Sequence, residues 1–122
     1  MRLLIADDDA DMRQSMRLLL ERAGYEVALA PNGERALSLQ RELPADILIT
    51  DIFMPETDGL ETIQRFRREF PGVRIIAMSG GSVRVRGMGY LETAGIAGAD
   101  AVLRKPFAKS VLLQTLREFA GG

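Results

Sequence analysis

Ile47-Leu48-Ile49-Thr50-Asp51-Ile52-Phe53-Met54-Pro55 is the stretch from which the rest of the chain can be read. An apolar run rich in β-branched residues ends in a carboxylate, and Pro55, Asp58 and Gly59 then mark a loop. Continuous apolarity predicts a strand covered on both faces, as in a parallel sheet with helices above and below. Asp51 then stands at the carboxyl end of a central strand, where open α/β sheets place their ligands. Asp is also a common turn residue and helix cap, and taken alone Asp51 is open to that plainer reading.

Three other stretches end in complementary chemistry. Leu3-Leu4-Ile5-Ala6 is a short apolar run followed by Asp7-Asp8-Asp9. If both strands lie in one parallel sheet, their carboxyl ends share an edge and the acids converge near Asp51. Converging carboxylates repel unless a raised pKa or a bound cation compensates. All-oxygen ligands favour a hard cation, with Mg²⁺ the usual choice where phosphate chemistry follows. Capping of the next helix is the better reading for Asp9, whereas Asp7 and Asp8 are read as metal ligands. Val102-Leu103-Arg104-Lys105-Pro106-Phe107 ends a strand in a lysine, and Val73-Arg74-Ile75-Ile76-Ala77-Met78-Ser79 ends one in a hydroxyl. An ammonium and a hydroxyl donor suit the holding of a phosphoryl oxygen.

With these residues in this order, the sequence resembles the receiver domain of bacterial two-component response regulators, the CheY-like family, over nearly its whole length. The resemblance rests on Asp7-Asp8 after the first strand and on Asp51 followed by Met54-Pro55 and Asp58-Gly59. Ser79 after the fourth strand and Lys105-Pro106-Phe107 after the fifth complete it. It implies that Asp51 accepts a phosphoryl group from a histidine kinase or a histidine phosphotransfer protein. It implies that Asp7, Asp8 and Asp51 hold Mg²⁺ together with the backbone carbonyl of Phe53, and that Ser79 and Lys105 contact phosphoryl oxygens. A cis bond between Lys105 and Pro106 belongs to the same motif. Three features depart from the family's commonest pattern. Ser79 stands where Thr is also frequent, and Val102 stands where an aromatic switch residue is usual. The segment from Ser79 to Lys105 is long and rich in glycine, so Gly80 to Gly98 is the expected site of rearrangement, with Tyr90 its nearest aromatic.

Composition bounds the function. A chain of 122 residues with 47% hydrophobic residues suits one compact domain and is short for two. Residues 1–122 are therefore expected to form a single receiver domain of the stand-alone type, without an output domain. With 16 basic and 17 acidic residues interspersed, the net charge is −1, which argues against a nucleic-acid surface or an anionic-membrane binder. The absence of Cys removes disulfides and thiolate metal sites, and the absence of His removes an imidazole base. Met1-Arg2 leads straight into the first strand with no sign of a signal peptide. No apolar run approaches the roughly 18 residues that a membrane helix needs. A cytoplasmic protein, monomeric or weakly dimeric, is expected.

Taken in order, the chain alternates strand and helix. A first helix beginning near Asp9 or Asp11 places Met12, Met16, Leu19, Leu20 and Ala23 on one face and Arg13, Gln14, Arg17 and Glu21 on the other, with Gly24 its stop. Glu26 to Ala30 reads as an edge strand, followed by a turn at Pro31-Asn32-Gly33. A second helix from Gly33 to Glu42 turns Ala36, Leu37 and Leu43 inward and ends at Pro44. A third, from Gly59 to Glu69, buries Leu60, Ile63, Phe66 and Phe70. A fourth is expected around Tyr90 to Ala97, although Gly95 and Gly98 disfavour it. The last, from Ala108 to Ala120, buries Leu112, Leu113, Leu116 and Phe119. This alternation calls for a doubly wound α/β fold with a parallel sheet and helices on both faces. The flavodoxin-like (CheY-like) order 2-1-3-4-5 follows from the family resemblance.

Two rival functions remain open on the sequence. A pseudo-receiver would keep the fold and bind partners without phosphorylation, but Asp51, Lys105 and the acidic pair are all intact. A flavodoxin-like small-molecule binder would want a glycine-rich phosphate loop after the first strand, where acids stand instead. A phosphoryl-accepting signalling domain, which is not an enzyme acting on a separate substrate, fits best.

Overall fold

The protein is described by a computed structural model that covers residues 1–52, 59–79, 98–105 and 107–121. In chain order the elements are β1 (Arg2–Ala6), α1 (Ala10–Arg22), β2 (Glu26–Ala30), α2 (Gly33–Glu42), β3 (Ile47–Asp51), α3 (Gly59–Glu69), β4 (Arg74–Ser79), β5 (Ala101–Arg104) and α4 (Lys109–Gly121). The five strands form one sheet in the order β2-β1-β3-β4-β5, every pair parallel. This is the flavodoxin-like order, with β1 beside β3 at the switch point and β2 at an edge. The expected helix at Tyr90 to Ala97, and Gly80 to Ala97 generally, lie outside the described residues.

Period-two alternation sorts the strand side chains onto two faces. Leu3, Ile5, Ile47, Ile49, Ile76, Met78 and Leu103 pack with Met16 and Leu20 of α1 and with Leu112 and Leu116 of α4. Leu4, Leu48, Ile75 and Ala77 pack on the other face with Ala36 and Leu37 of α2 and with Ile63 and Phe66 of α3. Strand β3 is buried along its whole length. Each fully buried Leu or Ile contributes about 1.5–3 kcal/mol relative to an exposed one, so β3 is fixed in register from both sides.

The helix ends explain where the sequence reading holds and where it fails. Asp9 caps α1, its side chain accepting from the backbone N–H groups of Asp11 and Met12. Asn32 caps α2 in the same manner through the N–H of Arg35. Gly24 takes φ +99°, the left-handed turn that follows a helix. Leu43, expected inward, is 50% exposed. Pro44 forces it out of helical geometry, and it caps α2 at φ −144° and ψ 82°. Gln40 turns inward instead, exchanging side-chain hydrogen bonds of 3.0 and 3.1 Å with the backbone of Ala45. Ala23, expected on the buried face of α1, is exposed because the helix has already ended at Arg22.

Candidate functional site

The register of the parallel sheet brings the strand ends together. Ala6 pairs with Thr50, Asp51 with Met78, and Ser79 with Arg104. Asp7, Asp51 and Lys105 therefore leave the sheet at one edge. Their parity matches too: Asp7 continues the alternation of Leu3 and Ile5, Asp51 that of Ile47 and Ile49, and Lys105 that of Leu103, all on the α1 and α4 face. The convergence expected from the sequence is thus a consequence of strand spacing and pleat.

Lys105 joins the two carboxylates. Its Nζ donates to Asp51 Oδ2 at 3.0 Å and to Asp7 Oδ2 at 3.2 Å. The three side chains are 10%, 0% and 22% exposed for Asp51, Asp7 and Lys105 respectively, so these are part-buried ion pairs. Asp7 Oδ1 accepts from the backbone N–H of Asp9 at 2.9 Å, so both of its oxygens are occupied. Burial pushes the Asp7 carboxyl above its ordinary 3.8; the Asp9 N–H bond and Lys105 oppose that rise, and the Asp51 charge adds to it. For Lys105, burial alone would lower the ammonium. The hydrogen bond and charge of Asp51, with the charge and hydrogen bond of Asp7, outweigh burial and hold it above 10.5.

Asp8, unlike Asp7, is exposed. One carboxylate oxygen from each of Asp7, Asp8 and Asp51 can be chosen so that all three lie within 4.8 Å of one another. A compact, anionic, all-oxygen donor set open to solvent on the Asp8 side fits a hard divalent cation such as Mg²⁺. Ser79 ends β4 at the same edge, opposite Arg104. Phe53, Tyr90 and Pro106 lie outside the described residues. Val102 is half-buried on β5 and packs against the α2 and α3 core.

Two residues at this edge, Gly59 and Arg13, and one at the opposite, amino-terminal edge of the sheet, Arg67, were not anticipated as structural parts of the fold. Gly59 opens α3 directly beneath the end of β3, its N–H donating to the Ile52 carbonyl at 3.0 Å. A Cβ there would run into the carbonyl oxygens of Asp51 and Ile52 and would lie 2.6 Å from Ile52 Cα. The Asp58-Gly59 pair was legible as a turn, but this close approach was not. Arg13, assigned to the solvent face of α1, folds back so that its Nη1 donates to the carbonyl oxygen of Asp7 at 2.6 Å. Arg67, on α3, donates to the carbonyl oxygens of Gly98 and Val73 at 2.7 Å each and pairs with Asp100. Asp100 in turn accepts from the Ile75 N–H at 2.8 Å, tying the start of β5 to β4 and α3. Only the run Gly98-Ala99-Asp100 before a strand hinted at this junction.

Comparison with known proteins gives the family. The family model for the response regulator receiver domain matches residues 3–117. Response regulator MprA of Mycobacterium avium is 38% identical over 120 residues, covering 96% of this chain and 50% of that protein. The Mycobacterium leprae protein of the same name gives the same identity and coverage, 38%, 96% and 50%. The chain thus spans about half the length of the curated relatives it matches. Among solved structures, a response regulator receiver domain protein from Clostridium thermocellum superimposes with a TM-score of 0.87 at 25% identity, covering 98% of this chain and 94% of that one. The Vibrio cholerae chemotaxis protein CheY4 superimposes with a TM-score of 0.84 at 29% identity, covering 97% of each chain. The family model, the relatives and the fold agree, and the chain belongs to the response regulator receiver domains of two-component signalling systems.

Proposed function

We propose that residues 1–122 act as one phosphoryl-accepting receiver domain, phosphorylated on Asp51 by a histidine kinase or a histidine phosphotransfer protein with Mg²⁺, and that the phosphorylated form signals to a partner protein by conformational change. The observation that carries the reading is the pair of hydrogen bonds from Lys105 Nζ to Asp51 and Asp7, 3.0 and 3.2 Å, at the edge where the acidic strand ends converge. Phosphorylation and Mg²⁺ binding through an acidic pocket are general features of this family.

In this reading an Asp51 carboxylate oxygen attacks phosphorus, the P–N bond of a phosphohistidine breaks, and the imidazole nitrogen leaves with its electron pair. Asp7, Asp8 and Asp51, with the Phe53 carbonyl, would hold Mg²⁺, which when bound offsets the negative charge of the acceptor and of the incoming group. Lys105 supplies a fixed positive charge beside Asp51, already oriented and therefore needing little reorganisation as charge shifts onto the phosphoryl oxygens. Ser79 offers its hydroxyl to one of those oxygens. The buried Asp7, locked by Asp9 and Lys105, serves to orient rather than to react.

Incubation with acetyl phosphate and Mg²⁺, followed by intact mass spectrometry, tests the reading. One phosphoryl group should be gained by the wild type and none by Asp51→Asn. No gain by the wild type, from acetyl phosphate or phosphoramidate, would favour a pseudo-receiver that binds partners without phosphorylation.

A further inference from the structure

Arg13 stands on the first turns of α1, a half-buried cation on the face of the helix that also carries Gln14, Arg17 and Glu21. Its guanidinium reaches back over the acidic loop to the Asp7 carbonyl oxygen at 2.6 Å. The loop is already held from inside: Asp7 Oδ1 accepts from the Asp9 N–H at 2.9 Å, and the Asp7 N–H donates to the Ala30 carbonyl at 3.1 Å. Asp9 is held from α1, through its cap and through the Arg13 N–H, which donates to the Asp9 carbonyl at 3.0 Å. None of these bonds holds the Asp8 carboxylate.

The orientation of Asp8 therefore depends on the backbone beneath it. The Asp7 carbonyl and the Asp8 N and Cα belong to a single planar peptide unit. Fixing the Asp7 oxygen fixes the tilt of that plane, and with it the origin of the Asp8 side chain. We propose that Arg13 is a positioning residue: through the Asp7 carbonyl it sets the peptide plane that presents Asp8 beside Asp7 and Asp51, and so sets the affinity of the site for Mg²⁺. This rests on the Mg²⁺-dependent reading above.

The alternative role has the opposite sign. A guanidinium is permanently charged and, acting by charge alone, repels a cation bound nearby. Deleting Arg13 would then tighten metal binding. Across a half-exposed, screened separation that repulsion is worth only a few-fold. Loss of an outer contact that orients a metal ligand typically costs about 10–100-fold in affinity. Positioning therefore dominates, and Arg13→Met should weaken Mg²⁺ binding by roughly fivefold after the two effects are combined.

Isothermal titration of Mg²⁺ into metal-free wild type, Arg13→Met and Arg13→Lys distinguishes these, alongside thermal unfolding in EDTA. Met is a good helix former, so the metal-free melting temperature of Arg13→Met should change little while its Kd for Mg²⁺ rises. Arg13→Lys keeps the charge and can still donate to Asp7, so its Kd should fall between the two. A wild type that binds no Mg²⁺ at millimolar concentration would remove the underlying reading. A wild type that binds, with Arg13→Met equal or tighter, would overturn the positioning role alone, as would a lysine variant no better than methionine.

Discussion

Replacing Lys105 by Met removes the cation that joins two part-buried carboxylates while keeping most of the apolar stem. Asp7 and Asp51 would then face each other without the Lys105 charge between them, with side chains only 0% and 10% exposed. Deleting one partner of a fully buried pair costs about 3–5 kcal/mol. Lys105 is 22% exposed, and Asp7 can relieve part of the strain by taking up a proton, so about 2 kcal/mol is expected. At a urea slope of roughly 2 kcal/mol/M, that lowers the unfolding midpoint by about 1 M. The measurement is urea unfolding in EDTA at pH 8 and at pH 4. The raised carboxyl of Asp7 gives the sign. A folded value above the unfolded one means that protonation stabilises the fold fully below 3.8 and that this contribution is lost as pH rises through the folded value. Removing Lys105 raises Asp7 further, so the deficit of the variant should be larger at pH 8 than at pH 4. Lys105 itself contributes fully below 10.5 and loses its contribution only as pH rises through its own higher folded value, so the wild type has all of it at pH 8. Millimolar Mg²⁺ should narrow the gap. A variant as stable as wild type at pH 8, or one whose deficit is larger at pH 4, would refute this electrostatic account of the site.

Gly59→Ala should destabilise by about 1–3 kcal/mol through overlap with the backbone of Asp51 and Ile52, outweighing the better helix propensity of Ala, and would be read as a lower midpoint in the same urea assay. Arg67→Met should cost about 1–3 kcal/mol because it strips partners from the Gly98 and Val73 carbonyls and leaves Asp100 without its cation. Combining it with Asp100→Asn should give less than the sum of the single effects, and strict additivity would show that the two do not act together. In thermal unfolding, added Mg²⁺ should raise the melting temperature of wild type by mass action, and Asp8→Ala should lose that response while melting no lower than wild type in EDTA.

The alternation of strands and helices and the carboxyl-end chemistry were legible because each depends on local pattern. The run Ile47 to Ile49 is apolar on both parities, and the strand it begins lies buried between two helical layers. What the sequence could not show is what depends on approach between distant backbones. Gly59 reads as loop punctuation until the backbone at the end of β3 is seen packed directly against it. Arg13 and Arg67 sit at polar positions of amphipathic helices, and both bind carbonyl oxygens, which carry no sequence signal; Arg67 reaches Gly98 across 31 residues and pairs with Asp100 as well. Leu43 failed for a local reason, because Pro44 ends the helix one residue before the apolar side chain could turn inward. The metal-facing division between Asp7 and Asp8 was also invisible: adjacent acids of the same type differ in that one is locked by Lys105 and Asp9 and the other is exposed.

The central claim is that the phosphoryl group is carried on one carboxylate, that of Asp51. Borohydride reduces an aspartyl phosphate to homoserine, so treatment after acetyl phosphate and Mg²⁺, followed by peptide mass spectrometry, reads the position directly. Homoserine should be found at position 51 and should require Mg²⁺. Homoserine at position 7 or 8 instead, or phosphorylated protein that yields none at position 51, would contradict the account.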